Sequence, residues 1–226
     1  MLISYLELLD LIDKGVIRNV DRNNVNGSSI DIRLGKTILV EEVPDIVCPK
    51  CGQTHKNTTD GYLAYISLEN RNRYFVCRNI GCSHSGRFSN FIKPVDFSKK
   101  EPLNMKEVNC ENKPFILWPG QAILAHSVEI FYLPDNITAE YRLKSSMARV
   151  FLEHLHAGWC DPMWQGSVLT LEFKNESLYH PLQLTANMKC GQVCFYKHEP
   201  VPVDKSYAVR GQYNNDIKAT PSKGIK

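Results

Sequence analysis

Residues 167–175 read Ser-Val-Leu-Thr-Leu-Glu-Phe-Lys-Asn, and their alternation decides the fold class. With a period of two, Leu169, Leu171 and Phe173 share one face while Val168, Thr170 and Glu172 share the other. An aliphatic row of this kind packs into a core, which turns Glu172 toward a cleft or solvent. The same reading extends outward to SIDIRLG (29–35), KTILVEEV (36–43), FILWPG (115–120), AILAHSVEIFYL (122–133), VFLEHLHAGW (150–159), LQLTA (182–186) and QVCFYKH (192–198). All are short runs punctuated by Gly, Pro or Asn. Helical spacing appears in only two places. Ser4 and Glu7 form a capping-box pattern ahead of Tyr5, Leu8, Leu9 and Ile12, which stops at Gly15, and SSMARVF (145–151) is a second, shorter candidate. Many short strands without intervening helices predict a mainly β fold, an antiparallel jelly-roll or β-barrel with an N-terminal helix.

The chain has 226 residues, enough for one sizeable domain with an elaboration or for two small ones. Apolar residues make up 43 % and charged residues 23 %, which excludes a wholly disordered or fibrous chain. No apolar run approaches the roughly 18 residues that span a bilayer, and MLISYLELLDLIDKG is acidic and amphipathic, unlike a secretory signal. A soluble, cytoplasmic protein without a membrane partner is expected. The formal charge of +3 is too small to argue for nucleic acid, which is not expected as a partner. The charge is concentrated, however: five basic residues stand against two acidic ones from Asp204 to Lys226, and such a tail suits a polyanionic ligand.

Composition divides the chain into a β domain (1–43 and 93–202), an insert (44–92) rich in Cys, Asn, Arg and Gly, and a mobile tail (203–226). In the insert, Cys48-Pro-Lys-Cys51-Gly and Cys77-Arg-Asn-Ile-Gly-Cys82 place two thiol pairs on tight turns, 25 residues apart. Tetrahedral Zn²⁺ takes four soft ligands from two such knuckles, and an insert this small has too little core to fold unaided. Cys48, Cys51, Cys77 and Cys82 are therefore expected to hold a structural Zn²⁺ in a zinc ribbon. His55 and His84 could replace a ligand, but a four-cysteine set already fills the shell. Arg71, Arg73, Arg78 and Arg87 give the insert a basic look, yet four thiolates and one Zn²⁺ lower its formal charge from +3 to about +1. A structural or subunit-contact role is expected.

The second half concentrates polar residues in Lys144-Ser145-Ser146-Met147-Ala148-Arg149, in His154-Leu155-His156-Ala157-Gly158-Trp159-Cys160-Asp161-Pro162, and around Glu172. Taken singly these are ordinary: a solvated strand Glu, serines capping a short helix, an Arg on the surface. His154 and His156 share a strand face with Asp161 following, a spacing also found in the His-x-His of metal-binding cupin-type barrels. A third His on a later strand is lacking, since His180 and His198 fall near loops.

Taken together, the segments resemble the dCTP deaminase branch of the trimeric dUTPase-like superfamily, over the whole chain except the insert. Ser29 to Gly35 resembles the motif S-x-D-x-R-L-G. Leu117-x-Pro119-Gly120, Leu124 to Glu129 and Leu133-Pro134 resemble L-x-P-G, L-A-x-T-x-E and L-P. Ser145 to Arg149 matches S-S-x-A-R, His154 to Trp164 resembles H-x-T-A-G-x-x-D-P-G-W/F, and Leu171-Glu172-Phe173-x-Asn175 fits L-E-x-x-N. Gly211 to Lys223 is similar to a C-terminal lid of the form G-K-Y-Q-G-Q-x-G-P-T-P-S-R, keeping Gly211, Tyr213, Thr220, Pro221 and Ser222.

The resemblance implies a dUTPase-like distorted jelly-roll acting as a homotrimer on deoxycytidine triphosphate. It yields dUTP and ammonia, or proceeds to dUMP and diphosphate. It implies Glu172 as the acid/base, Ser145 and the Ala157 main chain as holders of the attacking water, and Arg149 as their electrostatic support. By the same resemblance Asp161 receives the deoxyribose 3′-hydroxyl, Tyr207 stacks near the sugar, and the strand at Thr170 and Leu171 reads the base. Lys144, Ser146 and the lid with Tyr213 meet a triphosphate that carries Mg²⁺. The sequence departs from the pattern at Lys144 (Arg), His156 (Thr), Phe151 (Gly), Asp216 (Gln) and Lys218 (Gly). Two alternatives stand beside this reading: a dUTPase-type hydrolase in which Asp161 directs the water, and an inactive nucleotide- or nucleic-acid-binding module.

Overall fold

Helix α1 (Tyr5–Asp13) opens the chain where the apolar spacing predicts it, but Ser4 makes no side-chain capping bond. The Tyr5 N–H is instead taken by the Gly27 carbonyl at 2.9 Å. Leu8 and Leu11 carry the buried stripe, and Tyr5, expected on it, is 48 % exposed.

The computed structural model describes residues 1–42, 45–55, 65–66, 73–77, 79–87, 90 and 94–224. Arg71, Arg78 and the boundaries expected at 43/44 and 92/93 lie outside the described residues. Two compact units are present: Met1–Val40 with Met105–Pro221, and Glu41–Asn104 with the end of the chain from Ser222. Among the described residues no helix is long and apolar enough to cross a membrane.

In the first unit the strands are β1 (Ile17–Arg18), β2 (Ile30–Arg33) and β3 (Thr37–Glu41), and, after the strands of the second unit, β9 (Met105–Asn109), β10 (Phe115–Leu117), β11 (Ala122–Tyr132), β12 (Ile137–Leu143), β13 (Leu152–Glu153), β14 (Trp159–Cys160), β15 (Gln165–Asn175), β16 (Leu182–Leu184) and β17 (Lys189–Lys197). One sheet runs β13-β15-β11-β3-β9 with β1 added to β11, a second runs β14-β12-β17-β2, and β10 pairs with β16. The pairings of β11 with β1, β3 and β15, of β15 with β13, of β12 with β14 and β17, of β17 with β2 and of β10 with β16 are antiparallel, as the short-strand pattern predicts. Both sheets contribute to one core, where Phe131 of β11 lies 5.4 Å from Trp164 and 6.4 Å from Phe195 of β17 between ring centroids. Leu171 and Phe173 are fully buried, each contributing on the order of 2 kcal/mol of transfer free energy.

Two polar residues of the motifs serve this core. Glu129 is wholly buried and accepts from the Arg33 N–H at 3.0 Å and from Arg33 Nε at 2.8 Å. Gly35 runs so close to the His126 ring that a Cβ there would lie 2.1 Å from it.

Residues 213–216 of the tail run against the sheet. Its main chain binds the N-terminal half of β15: Asn215 N–H to Gln165 O at 3.0 Å, Val168 N–H to Asp216 O at 2.9 Å, and Ser167 Oγ to Tyr213 O at 2.7 Å. That edge of β15 would otherwise be an unpaired ladder, and the tail satisfies it.

The second unit holds β4 (Ile46–Val47) paired with β5 (Thr54–His55), and a three-stranded sheet of β6 (Tyr65–Ile66), β7 (Arg73–Val76) and β8 (Ser85–Arg87).

Candidate active site and metal centre

Strand β15 presents Glu172 on the face opposite Leu171 and Phe173. The Glu172 side chain is 24 % exposed, and its Oε2 is buried with no hydrogen-bond partner among the described residues. His154 Nε2 lies 3.6 Å away and is likewise unpartnered. The imidazole is held by Tyr141, 4.4 Å between ring centroids, and by Phe173 at 6.1 Å. Burial pushes the Glu172 carboxyl up to about 7 and the His154 imidazole down to about 4. At neutral pH the imidazole is uncharged and the carboxyl stands midway between its two forms, able both to take and to give a proton. His154 also lines a cleft of about 620 Å³ with Tyr141, Arg142, Glu153, His156 and Trp159.

Among the described residues no strand pairs with the edge of β15 beside Glu172. The tail occupies it as far as Val168, with Thr220 N–H reaching Thr170 Oγ1 at 3.4 Å, and β13 resumes pairing at Lys174. Because Val168 N–H points to this edge, the alternation of the strand turns the main-chain groups of Thr170 and Glu172 the same way. Those of Leu171 face β11, and the Leu171 side chain is in the core.

Lys144, Ser145, Ser146 and Arg149 lie on one turn around α2 (Ser145–Ala148). Both serines and Arg149 are exposed, and neither Ser145 nor Arg149 bonds to the buried Oε2 of Glu172, which has no hydrogen-bond partner among the described residues. Lys144 Nζ is bound to Asp31 at 2.7 Å. Asp31 also receives Asn26 at 2.9 Å and Lys189 at 3.2 Å. Burial opposes ionisation of Asp31, but the bonds from Lys144, Asn26 and Lys189 outweigh it and hold the carboxyl below its ordinary range.

Three turn residues with positive φ follow: Phe151 (64°), Leu155 (36°) and His156 (56°). Phe151 stands where the resembled pattern has Gly, and the same is true of Met163 at φ 66°. Ala157 is exposed beside Gly158, whose Cβ position would lie 2.4 Å from the Tyr141 carbonyl oxygen. Asp161 accepts from Trp159 Nε1 at 3.0 Å. Tyr207, at the start of α3 (Tyr207–Arg210), donates its N–H to the Pro162 carbonyl at 2.9 Å, which brings it beside Asp161. Tyr213 is fixed through its carbonyl by Trp164 Nε1 at 3.0 Å.

Reading the sequence assigned no role to His154, Asp31 or Lys189 in the site. His154 directly follows β13, and in the sequence it reads only as part of the His-x-His pair with His156 and of the resembled motif. The partners of Asp31 are 113 residues away in one case, beyond any local pattern.

In the second unit, Cys48 and Cys82 Sγ are 3.8 Å apart and Cys51 and Cys77 Sγ 3.6 Å, with all four sulfurs within 4.8 Å of one another. A disulfide requires about 2.05 Å. Zinc–sulfur bonds of about 2.3 Å in a tetrahedron place the sulfurs about 3.8 Å apart. Gly52 (φ 71°) and Gly81 (φ 84°) turn the two knuckles. The Gln53 N–H and then the Asn79 side chain pull the Cys51 thiol down to about 6, while burial pushes Cys77 up. The donor set therefore fits a tetrahedral thiophilic ion. His55 Nε2 lies 3.3 Å from Cys77 Sγ.

The site is thus a raised, half-buried carboxyl on an antiparallel two-sheet β fold. The profile of the dCTP deaminase-like family matches residues 84–198, and the chain belongs to this family. It is 36 % identical over 142 residues to a dUMP-forming dCTP deaminase of Acidothermus cellulolyticus, covering 60 % of this chain and 73 % of that one. It is 40 % identical over 129 residues to the dUMP-forming enzyme of Clavibacter michiganensis subsp. michiganensis, covering 56 % and 62 %. The crystal structure of a 2′-deoxycytidine 5′-triphosphate deaminase from Agrobacterium tumefaciens shares the fold, with a TM-score of 0.53 at 14 % identity over 86 % of this chain. The chain spans about half, 47 %, of that solved protein's length. All four clustered cysteines precede the stretch matched by the family profile.

Proposed function

We propose that this chain is a dCTP deaminase that carries dCTP through to dUMP, with Glu172 as general acid and base. The observation that carries the reading is the Glu172 carboxyl, raised by burial to about 7 beside His154 on a strand edge without a pairing strand among the described residues. Such a carboxyl takes a proton from a water attacking C4 of cytosine, gives it to N3, and then assists departure of the amino group as ammonia. A second water cleaves the triphosphate, so dCTP and two waters give dUMP, ammonia and diphosphate. The names of the related dUMP-forming enzymes support this second step.

Main-chain groups at Thr170 and Glu172 read the base along this edge of β15, while Leu171, turned to β11, holds the strand in place from the core side. Asp161 meets the 3′-hydroxyl and Tyr207, already beside it, packs near the sugar. Ser145 and the Ala157 main chain hold the attacking water, and Arg149 stabilises developing charge. Lys144 and Ser146 receive a triphosphate that arrives with Mg²⁺, and Tyr213 belongs to the closing tail. Ser145, Arg149 and Ala157 are exposed and unbonded to Glu172 Oε2, and Val150, Phe151, Leu155 and Trp159 beside them are exposed apolar residues. Both observations support a homotrimer in which a neighbouring copy completes the site. Cys48, Cys51, Cys77 and Cys82 hold Zn²⁺ structurally, since four protein ligands leave no open position for a reacting water.

The test is chromatographic turnover of dCTP, dCMP, CTP and dUTP with Mg²⁺, native against Glu172→Gln. Conversion of dCTP to dUMP that vanishes in the variant is expected. Turnover of dUTP alone would replace the deaminase reading with a dUTPase, and inactivity on every nucleotide would sink both.

A further inference from the structure

We infer that His55 is an outer-sphere partner of the cysteine centre, its Nε2–H donating to Cys77 Sγ and so fixing that sulfur in the metal-bound state. The inference rests on the reading of the four cysteines as a metal site. His55 closes the β4–β5 hairpin that carries the first knuckle, pairing with Ile46, and reaches across to a sulfur of the second knuckle. The contact is buried on both sides: His55 is 7 % and Cys77 5 % exposed. The Cys77 sulfur is within hydrogen-bonding distance of this buried imidazole, at 3.3 Å from Nε2.

His55 is not a fifth ligand. The sulfurs already stand at the spacing of a filled tetrahedron, and His55 is outside the set whose ligand atoms lie within 4.8 Å of one another. The electrostatics favour a donor at this position. Four thiolates around one divalent ion carry a net charge of −2, which is costly in a buried site unless N–H groups are aimed at the sulfurs. Cys51 has such donors in the Gln53 N–H and the Asn79 side chain, and Cys77 has the Asn79 N–H. His55 supplies Cys77 with a second one and ties the two knuckles together through it.

The test uses the full chain loaded with Zn²⁺ or Co²⁺ and compares wild type with His55→Phe and His55→Gln. His55→Phe keeps one metal equivalent and the four-sulfur cobalt d–d bands. Its thiolate-to-cobalt charge-transfer band moves to lower energy, and its zinc affinity against a chromophoric chelator falls roughly 10- to 100-fold. His55→Gln, which retains an N–H donor, recovers part of both changes. An unmoved charge-transfer band with unchanged affinity would reduce His55 to space filling, and altered d–d bands would make it a ligand; either overturns the inference. In the zinc-loaded wild type, ¹⁵N-histidine NMR is expected to place the His55 proton on Nε2. A proton on Nδ1 alone refutes the inference even if no variant folds. Less than one metal equivalent in the wild type is a separate failure, of the metal reading itself, and takes this inference with it.

Discussion

Replacing Glu172 with Gln tests the electrostatics of the site through stability, independently of any substrate. The carboxyl stands at about 7 against an ordinary 4.5 because burial penalises its charged form. The folded chain therefore holds this proton more tightly than the unfolded chain does. Below about pH 4.5 both states are protonated and the site costs nothing. As pH rises toward 7 the unfolded state ionises first and stability falls, and above 7 the full penalty is present. At about 1.4 kcal/mol per pH unit, the interval of about 2.5 units corresponds to roughly 3 kcal/mol. The side chain is only 24 % exposed, so solvent screening removes little of it. Glu172→Gln keeps the shape and removes the titration. Urea unfolding at pH 4.5, 6 and 8.5 is expected to find the two proteins alike at the lowest pH, with the variant more stable by roughly 3 kcal/mol at the highest. A variant equally or less stable at pH 8.5, or an advantage that does not grow with pH, would refute the account of Glu172 as a destabilised, functionally poised carboxyl.

Arg33→Ala removes the guanidinium from buried Glu129, leaving only the main-chain N–H of residue 33 as donor, and is expected to cost about 3 kcal/mol, read as a lowered urea midpoint at neutral pH. Met163→Gly relieves a positive φ and is expected to raise stability by up to about 1 kcal/mol; a fall of that size in thermal denaturation would count against strain at this turn. Removing bound metal with a strong chelator is expected to abolish hydrogen-exchange protection in β4, β5, β7 and β8 while sparing β11 and β15, and equal protection with and without metal would deny the ion its structural role.

Much of this is legible in the sequence itself, for reasons that differ between the two units. The period of two in residues 167–175 follows from covalent strand geometry, so the buried row of Leu169, Leu171 and Phe173 and the outward Glu172 could be read directly. The cysteine pairs were equally legible, because a tetrahedral ion requires two knuckles of closely spaced thiols and the chain spells them out. The order of short strands, with one opening helix, fixed a mainly β fold.

Tertiary structure decided what depends on burial and on distant partners. That Glu172 stands near neutrality follows from its desolvation beside His154, and neither residue's surroundings are written in its own segment. Lys144 looked like a free cation until Asp31, 113 residues earlier, was found bound to it. The tail, whose periodicity fades in the sequence, is held by main-chain bonds to β15, and such bonds carry no side-chain pattern to read. His55, a possible substitute ligand by spacing, lies 3.3 Å from Cys77 Sγ, a contact 22 residues away along the chain that spacing alone does not place. Local geometry repeats along a chain and can be read from it; desolvation and long-range contact exist only once the chain has folded.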